Sequence, residues 1–254
     1  MKFIQSKENK IFKQYKNLNK RKYRDANNQF LIEGEKFIDD AIDKNQSIEC
    51  IIINNFYEKY FEKYKEYEIV SLEDTLFNDL SDTVHSQGVI AVINKNRSMD
   101  ISLEDPIIML DRLQDPGNMG TILRTSVAAG IKNVVTIKGS VDIYNPKVVR
   151  STAGAIFNIR SVEIDDVKSF VDNIKKQGYK LITTKMETET PFDEYEYSKK
   201  TALVIGNEGK GISKEMFDLS DMSVKIPLYG EIESLNASVA AAIIIYEMGS
   251  RLNK

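Results

Sequence analysis

Short apolar runs of strand type alternate with helix-like segments along almost the whole chain. Consecutive apolar residues in such runs are typical of strands that are covered on both faces of a sheet. Their alternation with helices predicts an α/β fold. The runs are FLIEG (30–34), CIII (50–53), EIVS (68–71), GVIAVI (88–93), IIMLD (107–111), NVVTI (133–137), AIFNI (155–159), KLITT (180–184), TALVIG (201–206) and SVKIP (223–227).

A polar, unpatterned stretch, NKNRSMDISLED, interrupts this alternation near the middle of the chain. Such stretches are typical of linkers. The sequence therefore predicts a smaller α/β domain over 1–95, a linker over 96–105 and a larger α/β domain over 106–254.

Composition excludes several classes of protein. The chain has one cysteine, Cys50, and one histidine, His85, which exclude a disulfide framework and the usual Cys/His zinc sites. We therefore expect no metal. No apolar stretch approaches the length of a membrane span, and the N-terminus MKFIQSKENK has no signal-peptide core. We expect a cytoplasmic protein with no membrane partner.

The first 24 residues are strongly basic although the net charge of the chain is −3. This segment holds nine Lys or Arg residues and one acidic residue, Glu8, with Tyr15 and Tyr23 among the cations. Clustered cations with interleaved aromatics suit a phosphate backbone and unstacked bases. A solvated helix face explains the charge equally well, so charge alone leaves both interpretations open.

Three loops with polar and glycine residues directly follow predicted strands, where ligands bind in an open α/β sheet. The first, 113–120, includes DPGNMG and precedes a predicted helix over 121–129 that carries Arg124. The second is GNEGKG (206–211), and the third runs from Ile226 to Asn236. Each is weak alone. GNEGKG lacks the spacing of known phosphate loops, Asn118 or Ser234 is interpretable as a helix N-cap, and Arg124 as a salt-bridge partner.

Taken together and in order, NMGTILRTSVAAG, VIGNEGKGIS and IPLYGEIESLNASVAAAIIIYE resemble the three signature motifs of the SpoU (TrmH-like) RNA 2′-O-ribose methyltransferases. The segments KYRDANNQFLIEGEKFIDDAI and HSQGVIAVI resemble the substrate-binding domain that many members carry first. The resemblance implies a C-terminal parallel sheet with a deep trefoil knot (SPOUT-type), preceded by a smaller α/β RNA-binding domain.

The resemblance also implies a cofactor, S-adenosylmethionine, bound in the knot. It implies a methyl transfer to a ribose 2′-hydroxyl of RNA, with ribosomal RNA favoured over tRNA. The residues that it assigns to catalysis are Arg124, Asn118, Glu208, Ser234 and Asn236. Those that it assigns to the cofactor are Thr183, Gly206, Asn207, Gly211, Ile226, Leu228, Leu235 and Ala237, with Thr184 beside them. The candidates for RNA contacts are Lys10, Lys13, Lys20, Arg21, Lys22 and Arg24.

The last helix is apolar around most of its circumference, and the family resemblance implies a homodimer through the knot region and this helix. Because a guanidinium stays protonated at neutral pH, we expect Arg124 to grip a phosphate and stabilise the developing alkoxide rather than act as a base. Glu208 would hold Arg124 or its neighbours in place. The alternatives are a tRNA methyltransferase, a catalytically silent RNA-binding factor on the same fold, and a nucleotide-binding dehydrogenase-like domain.

Overall fold

The computed structural model describes residues 2–83, 85–95 and 101–252 of the chain. These residues form two compact units. Unit 1 combines the described residues of 1–97 with 142–157, and unit 2 combines those of 98–141 with those of 158–254. The predicted linker falls partly on residues 96–100, which lie outside the described residues. Residues 142–157, which the sequence assigned to the C-terminal domain, group with unit 1.

Unit 1 contains a mixed five-stranded sheet in the order β1-β4-β3-β5-β2, in which β5 alone runs antiparallel to its neighbours β2 and β3. Its hydrophobic core joins the central strands to α1 and α5, with Phe12, Ile52 and Phe77 almost fully buried. The elements are β1 (Lys2–Ile4), α1 (Lys10–Asn17), α2 (Arg21–Asn27), β2 (Gln29–Glu33), α3 (Glu35–Asp43), β3 (Ile48–Asn54), α4 (Lys59–Lys63), β4 (Ile69–Leu72), α5 (Asp74–Leu80) and β5 (Val89–Asn94).

Unit 2 contains a six-stranded sheet in the order β11-β9-β10-β6-β7-β8, and all of its strand pairs are parallel. The predicted parallel C-terminal sheet is confirmed. The elements are β6 (Ile107–Leu110), α6 (Pro116–Ala128), β7 (Asn133–Ile137), α7 (Pro146–Ser151, which groups with unit 1), β8 (Arg160–Ile164), α8 (Val167–Lys176), β9 (Lys180–Thr184), β10 (Thr201–Ile205), α9 (Lys214–Leu219), β11 (Met222–Val224) and α10 (Ala237–Leu252).

Two local predictions are wrong. The run AIFNI is a short 3-10 helix, Ala155–Asn158, and the following residues form the strand β8. Its apolar side chains are buried as a strand's would be, but the left-handed residues Ala153 and Gly154 set up a turn instead. The predicted loop DPGNMG is also helical, because α6 begins at Pro116. No helix in the described part of the chain is long and apolar enough to cross a membrane.

Candidate active site

The three sequence motifs follow the carboxyl ends of neighbouring strands in unit 2. The first follows β6, the second follows β10, and the third follows β11, which is separated from β10 by β9 alone. Because parallel strands end at the same edge of a sheet, this topology brings the three loops to the edge where ligands of α/β proteins bind.

Glu208 connects the second motif to the first. Its carboxylate accepts hydrogen bonds from the backbone N–H groups of Gln114 (3.3 Å) and Asp115 (3.0 Å) and from Nδ2 of Asn118 (3.1 Å). Partial burial opposes ionisation of this carboxyl, but hydrogen bonds from its own backbone, Asn118, Asp115 and Gln114 outweigh it and lower the pKa of Glu208. The carboxylate is therefore ionised at neutral pH and acts as an acceptor.

Asn118 and Asn236 connect the first motif to the third. Nδ2 of Asn236 donates a 3.1 Å hydrogen bond to Oδ1 of Asn118. Oδ1 of Asn236 accepts from the N–H (2.9 Å) and the hydroxyl (2.7 Å) of Ser238 and from the N–H of Val239 (3.3 Å). Asn236 thus caps the first turn of α10. Asp115, which accepts from the N–H of Asn118 at 2.7 Å, caps α6 in the same way.

The glycine loop of the second motif is closed on itself. The backbones of Asn207 and Gly211 exchange two hydrogen bonds of 2.9 Å, and Oδ1 of Asn207 accepts from the N–H groups of Gly209 and Lys210. A Cβ atom at Gly206 would overlap the carbonyl carbon of Gly211, and Gly211 has a φ of +68°. The chain can therefore return this closely only with glycine at both positions.

A cleft of about 140 Å³ opens beside this network, and it brings together part of the predicted cofactor set. Among the predicted residues, Ile226, Leu228, Ser234 and Leu235 line it, and so does Thr184. Thr183 does not, because neighbouring residues of a strand point to opposite faces. Its hydroxyl instead bonds that of Ser223 at 2.7 Å. The lining that the sequence did not single out is Lys185, Met186, Val224, Lys225 and Ala240.

The remaining predicted cofactor residues do not line the cleft. Gly206, Asn207 and Gly211 form the closed loop after β10, and Ala237 is the first residue of α10. The backbone of 226–235 makes no hydrogen bond to any described part of the chain. Together with the apolar side chains of Ile226, Leu228 and Leu235, these uncommitted N–H and C=O groups fit an adenosine, whose flat faces are apolar and whose edges are polar.

Two predicted catalytic residues are not held by this network. Arg124 is exposed on α6 and makes no hydrogen bond or ion pair with the described residues. It lies six positions after Asn118, which on an α-helix places the two side chains on different faces. Glu208 bonds Gln114, Asp115 and Asn118, and within the described residues it makes no bond to Arg124. Ser234 is exposed in the cleft and likewise makes no hydrogen bond within the described chain.

The predicted RNA contacts of unit 1 separate into two groups. Five of the six side chains are exposed on α1, α2 and the turn between them, namely those of Lys10, Lys13, Lys20, Arg21 and Lys22. The prediction for Arg24 is corrected by the structure. Its side chain is 2% exposed and bonds Oδ2 of Asp142 at 2.6 and 2.9 Å and the carbonyl of Leu18 at 2.9 Å. A guanidinium buried in an ion pair is not available to RNA.

Comparison with known proteins finds two family models that match the chain. Residues 105–246 match the SpoU rRNA Methylase family, and residues 9–91 match the MRM3-like substrate binding domain. The chain is 33% identical to the 23S rRNA (guanosine(2553)-2′-O)-methyltransferase RlmP of Bacillus subtilis, over 98% of this chain and 99% of RlmP.

Two solved structures that contain the cofactor AdoMet (S-adenosylmethionine) have the same fold. One is an rRNA methyltransferase from Sinorhizobium meliloti, with 26% identity, a TM-score of 0.87 and coverage of 99% of this chain and 98% of that chain. The other is the SpoU methyltransferase AviRb from Streptomyces viridochromogenes, with 25% identity, a TM-score of 0.85 and coverage of 96% and 98%. The predicted resemblance and its knotted α/β fold are thus confirmed, and the chain belongs to the SpoU family of S-adenosylmethionine-dependent RNA 2′-O-methyltransferases.

Proposed function

We propose that this protein methylates a ribose 2′-hydroxyl of ribosomal RNA, with a guanosine of 23S rRNA as the first candidate. The observation that carries the proposal is the match to RlmP, which covers 98% of this chain and 99% of RlmP and so extends over both units. We infer that the protein works in the cytoplasm, as an enzyme that modifies bacterial ribosomal RNA would.

The cleft residues would hold the cofactor, which supplies an electrophilic methyl group when it is bound. Ile226, Leu228 and Leu235 would pack against the adenosine, while the uncommitted backbone of 226–235 would bond its polar edges. The hydrogen bonds through Asn118 keep this loop in register with the first two motifs. Asn118, Glu208 and Asn236 are therefore best described as positioning residues.

Arg124 is the residue that we assign to the RNA side of the reaction. Its guanidinium is exposed and makes no bond within the described chain, as a group that must grip an incoming phosphate has to be. Fixed positive charge beside the attacking oxygen would also stabilise the alkoxide as it forms. Ser234 lines the same cleft that would hold the cofactor, and its hydroxyl would bond either the cofactor or the ribose.

Unit 1 would carry the RNA. The exposed cations Lys10, Lys13, Lys20, Arg21 and Lys22 lie within a short stretch of chain and form a patch suited to a phosphate backbone. Arg24 takes no part in this proposal.

The protein would act as a homodimer that buries the outer face of α10 together with the knot region. One face of α10 is covered by its own unit, with Ala241, Ile244 and Met248 fully buried. The opposite face exposes Val239 (47%) and Tyr246 (60%), and Ile232 before the helix is 57% exposed. Apolar side chains exposed on one face of a helix are typical of a subunit interface.

The proposal is tested by mapping 2′-O-methylated riboses in cells with and without the gene, and by supplying purified protein and S-adenosylmethionine to RNA from the deletion strain. We expect one ribosomal nucleotide to lose its methyl group in the deletion and to regain it in vitro. A methyl group that disappears from a tRNA would replace rRNA with tRNA as the substrate. RNA binding without any transfer would indicate a silent binding factor.

A further inference from the structure

Besides the cleft in unit 2, unit 1 has a cleft of its own, of about 330 Å³. It shares no lining residue with the proposed cofactor and catalytic sites. Its walls come from the end of β2, the first turns of α3 and the loop between α5 and β5. The lining residues are Glu33, Gly34, Lys36, Phe37, Asp40, Thr83, His85, Gln87 and Ala153. We name it the unit 1 cleft.

The walls of the unit 1 cleft are fixed by hydrogen bonds. The Glu33 carboxylate accepts from the hydroxyls of Ser81 (2.7 Å) and Thr83 (2.6 Å) and from the N–H of Asp82 (3.2 Å). Oε1 of Gln87 accepts from the N–H of Glu35 at 2.8 Å. These bonds hold residues 81–83 against the end of β2 and Gln87 against the start of α3, so that the cleft is formed before any ligand arrives.

The side of the unit 1 cleft near Ala153 is shaped by tight backbone. Ala153 and Gly154 both have positive φ, of 46° and 86°. A Cβ atom at Gly154 would come within 3.0 Å of Oδ2 of Asp40. The ring of Phe37 packs edge-on against that of Phe157, with centroids 5.2 Å apart. Asp40 and Phe37 are thus held in place from this side.

Three polar groups in the unit 1 cleft are uncommitted. The Asp40 carboxylate, Nε2 of Gln87 and the Lys36 ammonium make no hydrogen bond or ion pair with any part of the chain that the structure describes. A carboxylate accepts two N–H groups side by side, whereas an amide nitrogen and an ammonium donate. With the ring of Phe37 beside them, they form a site for a flat group that presents two donors and an acceptor on one edge.

Two exposed aromatic residues, Phe56 and Tyr57, precede α4, and the Tyr57 ring contacts the chain segment that borders the unit 1 cleft. The Tyr57 ring packs on the backbone of Gly88, one residue after Gln87, and a Cβ atom at Gly88 would overlap it. Tyr57 also stacks on Tyr60 with an interplanar angle of 16°. Its neighbour Phe56 is 73% exposed. Exposed aromatic rings beside a polar pocket are typical of surfaces on which unpaired bases stack.

We propose that the unit 1 cleft binds an unpaired nucleobase of the substrate RNA, outside the nucleotide that receives the methyl group, and that the adjacent base stacks on Phe56. Guanine matches the cleft most fully, because its N1–H and N2–H groups suit Asp40 and its O6 suits Gln87 or Lys36. The proposal rests on the proposed function, since it gives the RNA a second, sequence-reading contact on unit 1.

Asp40→Asn tests the polar contact, and Asp43→Asn, at an exposed position one turn later on α3, is its matched control. We expect Asp40→Asn to raise KM for an rRNA fragment about tenfold, the scale of one bidentate base contact, with kcat and S-adenosylhomocysteine affinity unchanged. Replacing unpaired guanosines one at a time with inosine should weaken wild-type binding at one position and leave Asp40→Asn unaffected there. Equal KM values for both variants would overturn the proposal.

Phe56→Ala tests the stacking contact, and Phe3→Ala, at another exposed phenylalanine of unit 1, is its control. We expect only Phe56→Ala to weaken binding of the rRNA fragment, by about tenfold. Binding is measured by filter retention, independently of transfer. If the wild-type protein transfers no methyl group, the proposed function is wrong. If it does, and both variants behave as their controls, only the unit 1 cleft is misassigned.

Discussion

Asn118 is the residue through which the three motifs are connected. It donates to Glu208 of the second motif and accepts from Asn236 of the third, so its amide orientation is fixed from both sides. Its own N–H is bound by the cap residue Asp115. The three motif loops are therefore aligned by a short chain of side-chain hydrogen bonds whose members are far apart in sequence.

Glu208→Gln should remove most of this alignment. An amide keeps one oxygen but turns an NH₂ group toward neighbours that are themselves donors. We expect methyl transfer to fall by about one to two orders of magnitude, less than for loss of a group that contacts the reacting atoms, because Glu208 acts only through its neighbours. Affinity for S-adenosylhomocysteine, measured by calorimetry, should also fall, because the loops around the cleft lose their register. Unchanged kinetics would show that the remaining contacts suffice to align the three motif loops.

The same residue predicts a pH dependence of stability. Because the pKa of Glu208 is lowered in the folded protein, its stabilisation is fully present above the ordinary glutamate value and is lost as the pH falls through the folded-state pKa. Denaturant unfolding should therefore show Glu208→Gln to be less stable than wild type at neutral pH, with the difference shrinking in acid. A constant difference at every pH would point to a cause other than ionisation.

Arg124 allows a separate test of whether charge or shape matters. If the guanidinium acts only as positive charge, Arg124→Lys should retain clearly more activity than Arg124→Ala. If a bidentate grip on phosphate is required, both variants should lose activity equally, because an ammonium is a point charge. Single-turnover rates at saturating RNA distinguish the two outcomes. Neither change should affect folding, since the side chain is exposed and bonds none of the residues that the structure describes.

At the scale of single elements, the contact between α10 and α6 is set by one glycine. A Cβ atom at Gly249 would overlap the carbonyl oxygen of Ala129, which follows the last turn of α6. Gly249→Ala should lower the free energy of unfolding by about 1–3 kcal/mol through overpacking. Gly230→Ala is the control, because its Cβ atom would meet nothing within 4 Å. Equal free energies of unfolding in urea for the two variants would mean that α10 and α6 accommodate the added methyl group without loss of stability.

The degree of burial of a strand determines how well the sequence predicts it. The strands β6, β7 and β10 are buried throughout, so their unbroken apolar runs were predicted at nearly the right positions. The strand β8 is only half-buried and lacks that signal, and β1 is three residues long. The start of α6 was missed although Asp115 and Pro116 are a typical N-cap and first helical residue.

The outline of the candidate site was predicted from the family resemblance and not from the burial pattern. The positions of Asn118, Glu208 and Asn236 came from family motifs, and no property of the residues themselves indicates that they bond one another. Arg24 was misassigned because clustered charge does not distinguish a cation on the surface from one that is buried against a distant carboxylate. The knot, too, was available only from the resemblance, since the periodicity of apolar residues contains no information on threading.

At the scale of the whole molecule, the proposed dimer is tested by charge on the outer face of α10. The double substitution Val239→Glu with Tyr246→Glu places two carboxylates where the partner would pack. Both side chains are exposed in the single chain, so folding should be unaffected. Light scattering should show a dimer for the wild type and a monomer for the variant. A monomeric wild type at micromolar concentration would reject the dimer.

The proposed RNA surface predicts a change in salt dependence. Substituting Lys10, Lys20 and Lys22 together with Ala should weaken rRNA binding and make the plot of log affinity against log salt shallower by about 2, since each lost contact with single-stranded RNA contributes about 0.7. Substituting the exposed lysines Lys138, Lys168 and Lys176 of unit 2 is the control. Equal slopes would remove the basic helices from the RNA-binding surface.

Unit 1 is discontinuous in sequence, since it recruits residues 142–157 from between β7 and β8. This segment supplies Asp142, the partner of Arg24, and Tyr144, whose ring lies 4.8 Å from that of Phe30. A gene fragment that ends at residue 97 encodes neither. A single genetic crossover therefore cannot exchange this unit intact between relatives, and any chimaera built to transfer RNA specificity has to carry both stretches of coding sequence from the same parent.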